Sequence, residues 1–197
     1  MRLILALGNH PEKYWQTRHN IGFICLDRWA LKHKKAFKSA PEYDYLVHRD
    51  AVAIKPKTYM NLSGQALKAA MRKWQFEEIM VVHDDVELPS CELRVRLGGG
   101  DGGHNGLKSL FEVLPPSELR RLRIGIGKSD VIPTDSYVLQ NFEKKELDSF
   151  HDCLSLASSF VDTFVHRGFK EVLNDYSKWK KSYSDGDTVG IKSPKEE

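Results

Sequence analysis

A histidine in "TRHN" (17–20), asparagines at 9, 61 and 105, and the adjacent aspartates of "VVHDD" (81–85) are the residues whose types suit chemistry in this chain. A neutral imidazole serves as a general base near neutral pH, and it needs a neighbour that orients it. His19 stands just before a segment with helical spacing. The positive end of a helix disfavours imidazolium, so a neutral His19 is expected. Taken alone, His19 reads as an ordinary exposed histidine; it becomes a base if Asp84, ending an apolar run, reaches it. The asparagine amides at Asn9, Asn61 and Asn105 offer donors to an oxyanion or a peptide group without introducing charge. No G-x-S-x-G elbow is present and no cysteine sits in a nucleophile context, so water is the expected nucleophile of any hydrolysis. His83, Asp84, Asp85 and His104 are metal-ligand types. They lack H-E-x-x-H or tight ligand spacing, and neither a metal nor a cofactor is expected.

"GGGDGGHNG" (98–106) holds six of the 14 glycines. Glycine loses the most backbone freedom on folding, so such a run either admits a ligand close to the backbone or is a plain surface loop. An alternating stretch precedes it and a helical pattern follows, at Leu107, Leu110, Phe111 and Leu114. That junction favours a ligand-facing loop. Gly98, Gly100 and Gly103 satisfy G-x-G-x-x-G, but no acid follows the next strand to hold a ribose. "GIGKS" (125–129) fails as a P-loop because Leu122 occupies the leading glycine position. Arg94 and Arg96 share a strand face, and Lys108, Arg120, Arg121, Arg123 and Lys128 lie nearby in sequence, which suits a phosphate-bearing substrate.

These residues must be positioned by a fold that 197 residues at 41% hydrophobic content can build as one domain. Apolar runs at 2–7 and 78–85 read as buried strands, 43–55 as a hairpin, and 91–97 and 120–127 as further strands. Helices are expected from about residue 20, from an N-cap at Asn61 with Ala66, Leu67, Ala70, Met71 and Trp74 inward, over 143–166 as one long segment, and over 169–179. The expected fold is α/β: one domain over 1–179, a mixed twisted sheet flanked by helices on both faces, and a disordered tail over 180–197. Polar residues then collect outside the carboxyl ends of strands, where such sheets bind ligands. Three widely spaced cysteines indicate buried thiols. With no long apolar segment and no signal-peptide pattern, a soluble cytoplasmic protein without membrane contact is expected. A net charge of +3 permits a polyanionic partner.

In their order and spacing, "GNHPEKYWQTRHNIG", "KPKTYMNLSG", "VVHDDVELP", "GGGDGGHNGLKSL" and "RLRIGIG" resemble the bacterial-type peptidyl-tRNA hydrolases, and the resemblance extends to about Trp179. It implies a monomeric, metal-free esterase acting on peptidyl-tRNA left behind when a ribosome drops off. Carried across, it makes His19 the catalytic histidine, Asp84 its support, and Asn9 the residue that distinguishes blocked from free aminoacyl groups. Tyr14, Tyr59, Asn61 and Asn105 become substrate-binding residues, and Arg96 and Arg123 the tRNA contacts. One departure stands out: Asn9-His10-Pro11 replaces the family's asparagine–proline–glycine, which places an extra histidine near the site. Plant organelle splicing factors also resemble this family and bind RNA without catalysis; the intact His19, Asp84, Asn9, Asn61 and Asn105 set argues for the enzyme.

Overall fold

In the computed structural model, which describes residues 1–184, the strand β1 (Arg2–Ala6) lies at the centre of a seven-stranded sheet. The other strands are β2 (Lys38–Ser39), β3 (Tyr43–His48), β4 (Ala51–Pro56), β5 (Glu78–Asp85), β6 (Leu93–Leu97) and β7 (Arg120–Gly125). Their order is β2-β3-β4-β1-β5-β7-β6. β4, β1, β5 and β7 run parallel, while β2, β3 and β6 are antiparallel to their neighbours. The expected mixed sheet is present, but the hairpin is only half of the reason. β6 is also reversed, which its own sequence does not reveal.

Alternation divides the sheet's side chains between two cores. Leu3, Leu5, Val52, Ile54, Ile79 and Val81 face α2 (Ser63–Lys73) and α3 (Asn105–Phe111). Ile4, Ala6, Met80, Val82, Leu122 and Ile124 face α1 (Ile21–Lys32) and α6 (His151–Arg167). Helices therefore cover both faces, as expected. A short α4 (Thr134–Tyr137) follows β7. The expected helix over 143–166 is instead two, α5 (Lys144–Ser149) and α6. Phe150 stands in the turn between them (φ −77°, ψ −3°), with its ring buried in the core beside Phe142. Asn61 is no N-cap: it lies in a 3-10 turn, Met60–Leu62, and α2 starts after Leu62. Met71 is 41% exposed, not inward.

The last helix, α7 (Phe169–Ser184), continues past Trp179 into the segment expected to be tail. The rest of that segment, 185–197, lies outside the described residues. Cys25, Cys91 and Cys153 are buried free thiols. Among the described residues, no helix is long and apolar enough to cross a membrane.

Candidate active site

Parallel strands bring Asn9, the turn after β4, and Asp84 to one end of the sheet, and a cleft of about 870 Å³ opens there. All nine residues singled out from sequence line it: Asn9, Tyr14, His19, Tyr59, Asn61, Asp84, Arg96, Asn105 and Arg123. His19 sits in a 3-10 turn, Arg18–Asn20, that leads into α1. Its backbone N–H donates to Val138 O (2.8 Å). Its Nδ1–H donates to Asp84 Oδ2 (2.9 Å), which leaves Nε2 as the nitrogen able to accept a proton.

Asp84 has a second partner that sequence reasoning did not assign. His104 caps α3: its Nδ1 accepts the backbone N–H groups of Gly106 (3.1 Å) and Leu107 (3.4 Å). A backbone N–H can only donate, so the proton of His104 sits on Nε2, which donates to Asp84 Oδ1 (2.9 Å). Asp84 is 2% exposed and accepts from two imidazoles. Burial alone would raise its pKa, but the two histidines hold the carboxyl well below the usual carboxylate range.

For His19 the direction of the shift is the reverse of the one the helix terminus suggests. Burial pulls the imidazole down, yet the charge and hydrogen bond of Asp84 outweigh it, so the pKa is raised above its ordinary value. A helix terminus contributes ~0.3–1 kcal/mol. A buried carboxylate in direct hydrogen-bond contact is the stronger influence, and it favours the charged form. His83 differs. Its Nδ1–H donates to Asp84 O (2.7 Å), and burial, then His104, push it down to about 3. It stays neutral and buried.

Asn9 is fixed at both ends. Its backbone N–H donates to Asn20 Oδ1 (2.8 Å) and its carbonyl accepts from Asn20 Nδ2 (2.9 Å). The Asn9 Oδ1 accepts the Met60 N–H (2.9 Å), so the side-chain NH₂ is the group left to face the cleft. Asn20, fully buried, was not legible as part of the site because it touches the cleft only through Asn9. His10, the extra histidine, has Nε2 3.6 Å from Asp44 Oδ2 and is outside the cleft lining.

The glycine loop reaches the site by a longer route than its strand suggests. Because β6 is reversed, Leu97 lies opposite Arg120, at the far end of β7 from Gly125. The loop must return along the sheet to bring His104 to Asp84. Gly102 and Gly103 adopt left-handed conformations (φ 59° and 83°) on the way. The Arg121 guanidinium holds the carbonyls of Gly99 and Gly100 (2.8 Å to Gly100 O). Gly106 is closely packed: a Cβ there would lie 2.6 Å from Met60 Sδ, which would have to shift.

The same reversal builds a basic floor. Arg94 stands opposite Arg123 and Arg96 opposite Arg121, all on one face of β6–β7. Arg123 Nε meets Asp85 Oδ2 at 2.5 Å, and Arg121 is spent on the loop. Arg96 makes no ion pair among the described residues, so it is free to meet an anion. His19, Asp84 and His104 also bring three potential metal ligands within 4.8 Å of one another; of the set considered from sequence, Asp84 and His104 belong to this group and His83 and Asp85 do not. Both nitrogens facing Asp84 carry protons, so a cation would have to displace two hydrogen bonds.

A sequence profile of the family described as peptidyl-tRNA hydrolase matches residues 3–184. A peptidyl-tRNA hydrolase of Oceanobacillus iheyensis is 37% identical over 187 residues, covering 90% of this chain and 100% of its own. One of Shouchella clausii is 36% identical over 185 residues, covering 90% and 100%. The crystal structure of peptidyl-tRNA hydrolase from Acinetobacter baumannii superposes with a TM-score of 0.78 at 31% identity, over 88% of this chain and 93% of that one. With a match over about nine-tenths of its length in sequence and in fold, the chain belongs to the peptidyl-tRNA hydrolase family of enzymes.

Proposed function

We propose that the protein hydrolyses the ester bond joining a peptide to the 3′ end of tRNA, with His19 as the general base for water. The observation that carries this reading is the His19–Asp84 contact of 2.9 Å beside an Asn9 amide whose orientation is fixed by Met60 N–H. His19 Nε2 takes a proton from water as the water oxygen attacks the ester carbonyl. Asp84 supports the imidazolium that forms. The C–O bond to the ribose then breaks, and the proton passes to the leaving ribose oxygen. Asn9, Asn61 and Asn105 supply neutral donors to the oxyanion and to the peptide, while Tyr14 and Tyr59 flank the peptidyl-adenosine end. Arg96 and Arg123 take tRNA phosphates, with Asp85 orienting Arg123.

The reaction requires no metal or cofactor in this scheme, because the base, its support and the oxyanion donors are all side chains. The protein acts as a monomer in the cytoplasm, returning tRNA to use after ribosomes drop off. Incubation with N-acetyl-aminoacyl-tRNA, with and without EDTA, tests it. Hydrolysis that survives EDTA and is nearly abolished by His19→Ala supports the reading. No hydrolysis by the intact protein, or hydrolysis that zinc must restore, overturns it.

A further inference from the structure

Arg18, the residue before His19, is 8% exposed, and both terminal nitrogens of its guanidinium are engaged, while its Nε has no hydrogen-bond partner. One terminal nitrogen donates to Asn141 O (3.0 Å) and Gln140 O (3.4 Å). The other donates to both oxygens of Glu146 (2.7 and 3.0 Å). Its face lies 4.6 Å from the centre of the Tyr137 ring and 5.4 Å from that of Phe142. Beneath it the backbone forms a short ribbon with the segment from α4 to α5. Arg18 N–H donates to Gln140 O (3.0 Å), His19 N–H to Val138 O (2.8 Å) and Phe142 N–H to Gln16 O (2.9 Å), and Thr17 bridges to Asn141. Glu146 also belongs to the capping box that starts α5, so the clamp is anchored on a helix terminus. That same segment supplies Asp135, Val138 and Leu139 to the cleft wall.

Resting on the hydrolase reading, we infer that Arg18 and Glu146 are positioning residues for His19: their pair clamps the 137–146 segment to the turn that carries the base. Neither lines the cleft, and both act through the backbone bonds that fix His19. A planar guanidinium fits this place, because one terminal nitrogen meets the Glu146 carboxylate while the other meets the two carbonyls. The single ammonium of lysine could not hold both sides at once while a flat face lies on two rings.

The clamp predicts that its loss lowers turnover rather than substrate affinity, because displacement of a base by a fraction of an ångström acts on the reacting geometry. The test uses the full chain, Arg18→Lys and Glu146→Gln, at a temperature well below each variant's unfolding midpoint. Glu146→Gln keeps an acceptor for the helix cap and covers the case in which Arg18→Lys does not fold. Amide hydrogen exchange at Arg18 and His19 is measured beside kcat and KM for N-acetyl-aminoacyl-tRNA and for a peptide ester of adenosine. Faster exchange at both amides is expected, with kcat down about tenfold or more on both substrates and KM little changed. Unchanged exchange, unchanged kcat, or an effect confined to KM would overturn the positioning role. If the parent protein cleaved neither substrate, the hydrolase reading would fail by itself, and the exchange rates would still decide whether the clamp exists.

Discussion

Replacing Asp84 by asparagine changes one atom's chemistry, and the bonds around it determine the consequence. The carboxylate accepts from two N–H donors, His19 Nδ1 and His104 Nε2, each at 2.9 Å. An amide has one acceptor oxygen. His104 cannot turn its Nε2 into an acceptor, because its Nδ1 lone pair is committed to the N–H groups of Gly106 and Leu107. The amide oxygen therefore serves His104, and its NH₂ faces His19. His19 then presents a lone pair at Nδ1 and carries its proton on Nε2, the atom that must take a proton from water. The negative charge that supports the imidazolium is lost as well. Positioned base catalysis contributes ~10²–10⁴ in rate, and the wrong-tautomer effect in serine proteases reaches ~10⁴. A fall in kcat of about a thousandfold is expected, or roughly 4 kcal/mol in the barrier. Single-turnover hydrolysis of N-acetyl-aminoacyl-tRNA measures it. Asp85→Asn is the control, since Asp85 contacts Arg123 and not His19; it should weaken tRNA binding and leave kcat on a peptide ester of adenosine within about tenfold. A loss below tenfold in Asp84→Asn, or equal kcat losses in both variants, would refute the reasoning.

The acid limb of kcat/KM should lie above pH 6.5, since Asp84 raises the His19 pKa and the base is protonated, hence inactive, below that raised value; a pH–rate profile centred at or below 6.5 would contradict it. The same pair acts on stability with opposite signs. The His19 contribution is complete below pH 6.5 and fades as pH rises through its raised folded value. The Asp84 contribution is present above pH 3.8 and fades as pH falls toward its depressed one, so denaturant midpoints measured across pH should show both slopes. Asn9→Asp keeps an acceptor for Met60 N–H and turns a carboxylate oxygen into the cleft, which favours an ammonium over an amide carbonyl. The ratio of kcat/KM for N-acetylated over free aminoacyl-tRNA should shrink, and an unchanged ratio would move discrimination to Asn61 or Asn105. Arg96→Ala and Arg123→Ala should weaken tRNA binding and reduce the slope of log K against log salt by about one phosphate each; equal losses on a peptide ester of adenosine would place these arginines in the chemistry instead. Gly106→Ala forces a Cβ to within 2.6 Å of Met60 Sδ and 2.8 Å of Leu7 Cδ1, and a cost of ~1–3 kcal/mol is expected. A thermal melt that matches the parent would show that the thioether gives way without strain.

What the sequence determined by itself was whatever is written locally. Near-continuous apolar runs in 2–7 and 78–85 specify strands buried on both faces, and helical spacing after residue 20 specifies α1, because a residue's face follows from its position in its own element. By type and position the sequence offered His19, Asp84 and the three asparagines; the roles of Tyr14, Tyr59, Arg96 and Arg123 came with the family resemblance, and all nine line one cleft. Tertiary structure decided everything that depends on a partner far along the chain. The reversal of β6, and with it the long return of the glycine loop and the facing arginines, is a matter of pairing with β7. The break at Phe150 answers to a core that includes Phe142. Asn20 and Arg18 act at second hand, through Asn9 and through the ribbon at 138–142, so neither carries a local mark of function. The sign of the His19 shift was likewise beyond reach. A helix terminus is visible in sequence, but the carboxylate that outweighs it is 65 residues away and acts only because folding brings it to 2.9 Å.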